Sequence, residues 1–246
     1  MSKNKNTELS QDFEDKYNSP KIIKRIDGKY ILFEIISVLN FEKGIFYTIK
    51  ELAIRPGKSI RCFIEKNRSK LVKPITFVIF CSLIYTIAQQ HLLNKDFLDQ
   101  FGSGYSNAVG LKKSALVSIL KWLKNNYGYT NILMSLFIAL WIKVFFRKFK
   151  YNIFEILTLL LYVLGISTLI YSIFIIIDIL TGYRLLYWGI IIGFIYSSWA
   201  IGEFYNKRKA PNYLKVASAN LLGIITFYFI SFIIGGTIDM IILNSN

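Results

Sequence analysis

Blocks of roughly 20 apolar residues follow one another from Pro74 to the end of the chain. A helix of about 20 residues crosses the hydrocarbon core of a bilayer, where every backbone polar group must find a partner within the protein. The blocks therefore predict an all-α integral membrane protein with five transmembrane helices and an N-terminal basic amphipathic helical region. The predicted spans cover residues 74–93, 130–146, 153–180, 185–204 and 218–243.

The charge of the chain is strongly unbalanced, with 30 Lys and Arg residues against 15 Asp and Glu residues. If the chain crosses five times from a cytosolic N-terminus, 24 of the 30 cations lie in the cytosol, in keeping with the positive-inside rule. If the first block did not cross, the totals would be almost as uneven, so the short basic turns near Lys148 and Arg208 decide the orientation. They predict a multi-pass protein with a cytosolic N-terminus and an external C-terminus.

The start of the first apolar block divides the chain into a cytosolic basic region, residues 1–73, and a transmembrane domain, residues 74–246. Within the basic region, two short segments between residues 20 and 41 predict helices, and an amphipathic helix follows them. This helix suits either a position at the membrane interface or a small soluble core shared with the next helix. Its predicted apolar face consists of Ile45, Phe46, Ile49, Leu52 and Ala53.

The sequence Arg55-Pro56-Gly57 interrupts this helix, and Ser59 is a suitable N-cap for the next one. A helix start presents free backbone N–H groups and the positive end of the helix dipole, and both attract anions. The predicted anion-binding residues are Arg55, Lys58, Ser59, Arg61, Arg68, Lys70 and Lys73. The expected occupant is the phosphate of an anionic lipid headgroup or of a soluble ligand such as a nucleotide or oligonucleotide.

Small and polar residues recur every four positions on the fourth and fifth predicted spans. Such stripes let helices approach closely in lipid, where van der Waals contact rather than the hydrophobic effect holds helices together. The stripes line either contacts inside one subunit or a pore and a seam between subunits, and we expect a homo-oligomer. The predicted packing or pore residues are Gly189, Gly193, Ser197, Ser231, Gly235 and Asp239.

Signatures of catalysis and metal binding are missing from the sequence. His91 is the only histidine, and the spacing of Cys62 and Cys81 fits no disulfide framework or metal site. Neither the GxSxG nucleophile elbow nor a GxxxxGKS or GxxxxGKT phosphate loop is present. We therefore expect no enzymatic activity, no catalytic residue, no metal and no cofactor.

The segment RPGKSIRCFIEKNRSKLVKPITF, residues 55–77, resembles the core of the bacterial membrane proteins in domain-of-unknown-function family 3667. The shared pattern is a helix, then RPG, a short helix ending in a basic NR or KR, and a Pro-Phe-type start of a membrane span. The resemblance covers residues 41–85 and implies a bacterial inner-membrane protein without indicating an activity. Many members carry an N-terminal Cys-rich zinc ribbon, but no cysteine precedes Cys62 here.

Three classes of function are compatible with these features. The first is an oligomeric channel or membrane-permeabilising effector controlled by an anionic cytosolic ligand, by analogy with the membrane effectors of bacterial anti-phage defence. The second is a non-enzymatic membrane scaffold or assembly factor anchored to anionic lipid. An intramembrane enzyme ranks third, because no catalytic motif supports it.

Overall fold

The computed structural model describes residues 44–90, 97–111, 114–206 and 210–245. Regular structure in these ranges is α-helical, as predicted, and the helices predicted between residues 20 and 41 lie outside the described residues. The helices are α1 (residues 44–54), α2 (Pro56–Glu65), α3 (Pro74–Gln90), α4 (Phe97–Val109), α5 (Ala115–Asn125), α6 (Tyr127–Phe145), α7 (Ile153–Thr181), α8 (Leu186–Asn206) and α9 (Ala210–Asn244).

Within the described residues, three helices are long and apolar enough to cross a membrane, namely α6, α7 and α9. They correspond to the second, third and fifth predicted spans. The helix α3 is apolar but has only 17 residues, and at about 1.5 Å per residue it is roughly 25 Å long. The helix α8 does not belong to this group, because its tyrosine, tryptophan and serine residues and Glu203 lower its mean hydropathy.

The helix α7 forms the centre of the packing and contacts α3, α6 and α8. It is almost entirely apolar, and Leu160 and Tyr162 are fully buried. A capping box between Asn152 and Glu155 starts this helix by satisfying backbone N–H groups of the first turn. Gly182 ends it with a φ of 73°, a left-handed conformation that glycine adopts without strain.

The helix α3 runs beside α7 for much of its length. Near its start, the ring centroid of Phe77 lies 5.8 Å from that of Tyr162. Near its end, Tyr85 packs with Ile175 and stacks on Tyr127 with ring centroids 4.3 Å apart. Since Tyr127 is the first residue of α6, α3 begins at one end of the helix bundle and finishes at the opposite end.

The helix α8 returns along the other side of α7. Its first turn is held by Asp178 of α7, whose carboxylate accepts hydrogen bonds from the N–H groups of Leu185 and Leu186 at 2.5 and 3.3 Å. Its last turn brings the ring of Phe204 to 4.7 Å from the ring of Tyr151, which precedes α7. The helix α8 therefore extends from the C-terminal end of α7 back to its N-terminal end.

The helix α9 begins at Ala210, well before the predicted residue 218. Hydropathy marks only the apolar part of the helix, so the helix begins before the predicted span. The preceding turns are stabilised by packing instead, with Val216 fully buried and Tyr213 against Gly202 of α8, where an added Cβ would lie 2.4 Å from the tyrosine ring.

We call the end of the bundle at which α3 begins the basic end, because α1, α2, loop 66–73 and turn 146–152 lie there. The loop is tied to α7 by a hydrogen bond from Tyr162 to Val72, and the turn is tied to α2 through Tyr151. The opposite end, the far end, carries α5 and the start of α6. Residues 42–246 form one compact unit, so α1 and α2 pack with the helices that follow residue 73.

Candidate anion-binding site

A single non-helical residue, Arg55, separates α1 from α2. Its φ of −141° and ψ of 54° interrupt the helix, and Pro56 takes the first helical position, where a missing N–H costs little. Hydrogen bonds nevertheless flank the break, from the N–H of Arg55 to the carbonyl of Glu51 at 2.9 Å and from the N–H of Ser59 to the carbonyl of Arg55 at 3.0 Å. The two helices therefore form one hydrogen-bonded segment with a local interruption.

The predicted start of α2 at Ser59 is wrong, since the helix begins at Pro56. Pro56 has no N–H, and Gly57 packs directly on the backbone of α8. An added Cβ at Gly57 would lie 2.6 Å from the carbonyl carbon of Glu203, so only glycine allows this approach. The first turn of α2 is therefore buried in helix packing, and the positive charge near it comes from side chains.

A cavity of about 230 Å³ lies at the basic end, and residues of α1, α2 and loop 66–73 line it. Its lining includes four of the predicted anion-binding residues, namely Arg55, Lys58, Ser59 and Lys70. Three cationic side chains around one small cavity create a positive potential that favours phosphate or carboxylate groups. The remaining lining residues are Tyr47, Glu51, Cys62, Phe63 and Leu71.

The other three predicted anion-binding residues do not line this cavity. Nη1 of Arg61 donates a hydrogen bond of 3.1 Å to the carbonyl oxygen of Phe204. This carbonyl belongs to the last turn of α8, where backbone acceptors lack partners within the helix. Arg68 and Lys73 are exposed at the surface. Arg61 thus holds α2 on the end of α8, whereas the other two lie outside the cavity lining.

Among the lining residues that were not predicted, Glu51 is the one that carries a charge. Its Oε2 accepts a hydrogen bond of 2.8 Å from the hydroxyl of Ser59, and the residue lies in the same lining as the cations. The spacing that reveals it is that of Tyr47, Glu51, Arg55 and Ser59, each four residues from the next. Such a series shares one helix face, provided that the interruption before Pro56 is small.

Loop 66–73 brings Lys70 to the cavity, and two tertiary hydrogen bonds fix its position. Both act on Val72, whose N–H donates to Oγ1 of Thr48 on α1 at 3.1 Å. The carbonyl of Val72 accepts from the hydroxyl of Tyr162 on α7 at 2.6 Å. One backbone unit of the loop is therefore held between a wall of the cavity and the central helix.

Two further tyrosines fasten the cavity walls to the bundle. The hydroxyl of Tyr196 on α8 donates to the carbonyl of Leu52 on α1 at 3.0 Å. The hydroxyl of Tyr151 donates to Oε1 of Glu65, the last residue of α2, at 2.9 Å. Burial and the neighbouring Glu65 raise the pKa of Tyr151 to about 12, so this hydroxyl remains a donor at neutral pH.

The predicted apolar face of α1 is only partly correct. Ile45 and Leu52 are buried in the main core, but Phe46 is 68% exposed and Ala53 is also exposed. Thr48 is fully buried. Its hydroxyl is satisfied there, since it donates to a carbonyl of its own helix and accepts from a backbone N–H of loop 66–73. The inward face of α1 is therefore rotated towards the loop, and α1 packs on the bundle rather than only on α2.

The small residues of α8 face neighbouring helices of the same subunit. A Cβ added at Gly189 would lie 2.8 Å from Cβ of Phe174, and one added at Gly193 would lie 2.3 Å from the ring of Tyr171. The hydroxyl of Ser197 accepts a hydrogen bond of 2.6 Å from the side-chain amide of Asn220 on α9. The first two contacts join α8 to α7, and the third joins it to α9.

On α9, the predicted residues Gly235 and Asp239 face α5 at the far end. A Cβ added at Gly235 would lie 2.6 Å from Cα of Leu116. The carboxylate of Asp239 is 1% exposed and accepts hydrogen bonds of 2.7 Å from the hydroxyl of Ser114 and 2.6 Å from the next N–H. It thereby stabilises the N-terminus of α5. Ser231 bonds to a carbonyl of its own helix.

Residues 42–86 match the family described as "Protein of unknown function (DUF3667)". This match confirms the resemblance carried by residues 55–77. It covers α1, α2, loop 66–73 and most of α3, and thus all the residues that line the cavity. No curated protein and no solved structure matches the chain.

Proposed function

We propose that this protein is an oligomeric bacterial inner-membrane effector whose basic end lies in the cytosol, binds a phosphate-bearing ligand and controls membrane permeability in response. The observation that carries the proposal is the cavity in which Arg55, Lys58 and Lys70 come together. The proposed ligands are a nucleotide, an oligonucleotide or an anionic lipid headgroup, all of which present phosphate to these cations.

Five transmembrane helices are part of the proposal. The helix α3 accompanies α7 between the levels of Tyr162 and Ile175, and α8 accompanies it between Phe174 and Tyr151. Because α7 is long and apolar enough to cross a membrane, helices that lie beside it through the same depth would cross with it. An odd number of crossings then puts the N-terminal and C-terminal ends on opposite sides.

The contacts of the cavity walls support a role in signalling. The loop that carries Lys70 is bonded to α7 through Tyr162, and α2 is bonded to the end of α8 through Arg61. A phosphate that draws Lys70 towards Arg55 would therefore exert force on both α7 and α8. Such a ligand shifts the helices only to the extent that it binds one arrangement more tightly than the other.

The proposed permeability pathway lies between subunits. The centre of the described bundle is filled by α7, and Leu159, Leu160 and Val163 on this helix are fully buried. A pathway along the membrane normal therefore requires either a seam between copies or a rearrangement of this packing. For this reason the proposal includes a homo-oligomer.

A specific observation also favours the second function, a scaffold anchored to anionic lipid. Lys70 and Leu71 of the cavity lining lie four and three residues before Pro74, the first residue of α3. A cavity at the start of a membrane helix lies where lipid phosphates are concentrated, and each basic residue near an anionic membrane surface contributes about 1 kcal/mol to binding.

A charge-matched pair of variants tests the site. The triple variant Arg55→Ala/Lys58→Ala/Lys70→Ala removes the cavity cations, whereas Lys66→Ala/Arg68→Ala/Lys73→Ala removes three exposed cations outside the lining. Binding of ATP, a short RNA oligonucleotide and phosphatidylglycerol vesicles is measured for the purified variants in nanodiscs. The cavity variant is expected to lose at least tenfold more affinity than the control. Equal losses would show that only diffuse surface charge binds phosphate.

The same proteins separate the two functions. Reconstituted in liposomes loaded with a fluorescent dye, an effector releases dye when its soluble ligand is added, and the cavity variant does not. A scaffold binds anionic vesicles through the cavity without releasing dye for any of the soluble probes. Dye release that persists in the cavity variant would contradict control of permeability by this site.

A further inference from the structure

We infer that the cavity selects a phosphodiester that carries hydroxyl groups, rather than a bare phosphate. The inference rests on the proposed function, because it assumes that Arg55, Lys58 and Lys70 bind phosphate. The feature that leads beyond the proposed function is Glu51, a carboxylate in the same lining as the three cations.

A carboxylate is unfavourable in a site that binds only phosphate, because it repels the ligand. It is useful when the ligand also donates hydrogen bonds. An ionised carboxylate offers about four acceptor positions on two oxygens. Within the described residues, the hydroxyl of Ser59 occupies one of them, on Oε2. Glu51 therefore supplies an acceptor beside cations that themselves only donate.

The formal charges of the walls match such a ligand. Arg55, Lys58 and Lys70 contribute three positive charges and Glu51 one negative charge, which leaves an excess of two positive charges. A phosphodiester carries a single negative charge and is attracted by this excess. Its hydroxyl groups are uncharged donors. They can therefore contact Glu51 without the electrostatic repulsion that the three cations would exert on an ammonium group.

The size of the cavity limits the ligand further. At about 30 Å³ per water molecule, 230 Å³ holds roughly eight waters. Typical ligand pockets measure about 300–1,000 Å³. The cavity thus suits a phosphate with one polyol or one sugar, either alone or as one unit of a longer ligand. Two sources supply this chemistry, namely a phosphatidylglycerol headgroup at the membrane surface and a soluble ribose phosphodiester.

The decisive variant is Glu51→Gln. Glutamine keeps the length of the side chain and an oxygen that accepts from Ser59, but it removes the negative charge. Binding is measured by calorimetry with the protein in nanodiscs of uncharged lipid, so that added vesicles stay intact. The soluble probes are glycerophosphoglycerol, which is the deacylated headgroup, cyclic AMP as a ribose phosphodiester, and inorganic phosphate. Vesicles with phosphatidylglycerol are compared with vesicles containing an equal charge of phosphatidic acid.

The expected result is a change of opposite sign for the two classes of ligand. Glu51→Gln should weaken the binding of the hydroxyl-bearing diesters by roughly five- to tenfold, since a hydrogen bond to a charged group is lost. The same substitution should strengthen the binding of inorganic phosphate and phosphatidic acid by a similar factor, since a repulsive charge is removed. A lipid source is indicated if phosphatidylglycerol vesicles respond and cyclic AMP does not bind, and a soluble source is indicated by the reverse.

Two outcomes would overturn the inference while leaving the proposed anion site intact. If both ligand classes weaken together, Glu51 only positions Ser59 or the cations. If both strengthen together, Glu51 only opposes the positive charge. Failure of the proposed site itself looks different, because the wild-type protein would then bind every probe as tightly as the Arg55→Ala/Lys58→Ala/Lys70→Ala variant does.

Discussion

The hydroxyl of Tyr162, at the heart of α7, donates a 2.6 Å hydrogen bond to the backbone carbonyl of Val72, two residues beyond the cavity residue Lys70. Tyr162 is completely buried, and its ring also contacts Phe63 of α2 edge-on with centroids 5.4 Å apart. A single side chain of the central helix thus contacts both the loop and the helix that line the cavity. The geometry of the candidate site therefore depends on the packing of the bundle beneath it.

Tyr162→Phe tests this dependence. The variant leaves the buried carbonyl of Val72 without its donor, which typically costs about 1–3 kcal/mol. We expect a lower midpoint of thermal unfolding in detergent, followed by tryptophan fluorescence, and weaker phosphate binding because Lys70 is less well positioned. Tyr151→Phe is the matched control, since it removes a hydroxyl that bonds to the exposed Glu65. Equal effects of the two substitutions on stability and binding would contradict a special role for Tyr162.

A second prediction separates two cations that the sequence predicts for one site. Lys70 lines the cavity, whereas Arg61 bonds to the carbonyl of Phe204. Lys70→Ala should lower phosphate affinity by about fivefold, in line with roughly 1 kcal/mol per basic contact, and leave stability nearly unchanged. Arg61→Ala should lower the stability and leave phosphate affinity nearly unchanged, because α2 loses its bond to the end of α8. Unfolding and phosphate titrations on both proteins check the crossover, and a larger loss of affinity for Arg61→Ala would contradict it.

The helical fold and the three long apolar spans were predictable because lipid leaves the backbone few alternatives. Hydropathy placed the limits of α7 within a residue or two, since this helix is apolar throughout. It did not mark the first turns of α9, where Val216 and Tyr213 are fixed by packing on neighbouring helices. Hydropathy does not locate helix ends that depend on tertiary contacts.

The candidate site was predictable in its charges but not in its walls. The density of cations around Arg55 indicated where the cavity lies, but all six predicted cations were assigned to one site from sequence proximity alone. Proximity could not show that Arg61 faces α8 or that Gly57 brings α2 against Glu203. The sequence does not single out Glu51, because the break at Arg55-Pro56-Gly57 predicts the end of one helix face, whereas hydrogen bonds flank this break on both sides.

The third prediction concerns membrane topology. In a Cys62→Ser/Cys81→Ala background, single cysteines are introduced at Ser103 and Ser245, and at Lys148 in the turn at the basic end. With five crossings and a cytosolic basic end, an impermeant maleimide added to intact cells should label the first two positions and not the third. Lys148→Cys should react only after the cells are permeabilised. Labelling of Ser245→Cys only after permeabilisation would rule out the five-span arrangement.

The last prediction concerns Gly193. A leucine there would force its side chain into the ring of Tyr171, since even a Cβ would lie 2.3 Å from that ring. Overpacking of this kind typically costs about 1–3 kcal/mol, so Gly193→Leu should express poorly and unfold at lower temperature. Because the contact joins α7 to α8 in one subunit, the oligomer mass measured by light scattering should not change.

A second substitution sharpens this test. Tyr171→Ala makes room for the leucine, so the double variant Gly193→Leu/Tyr171→Ala should recover part of the lost stability relative to the sum of the two single changes. Gly236→Leu serves as the control on α9, because an added Cβ there meets nothing within 4 Å. If Gly193→Leu kept its unfolding temperature but dissociated into smaller species, the glycine would instead belong to a contact between subunits.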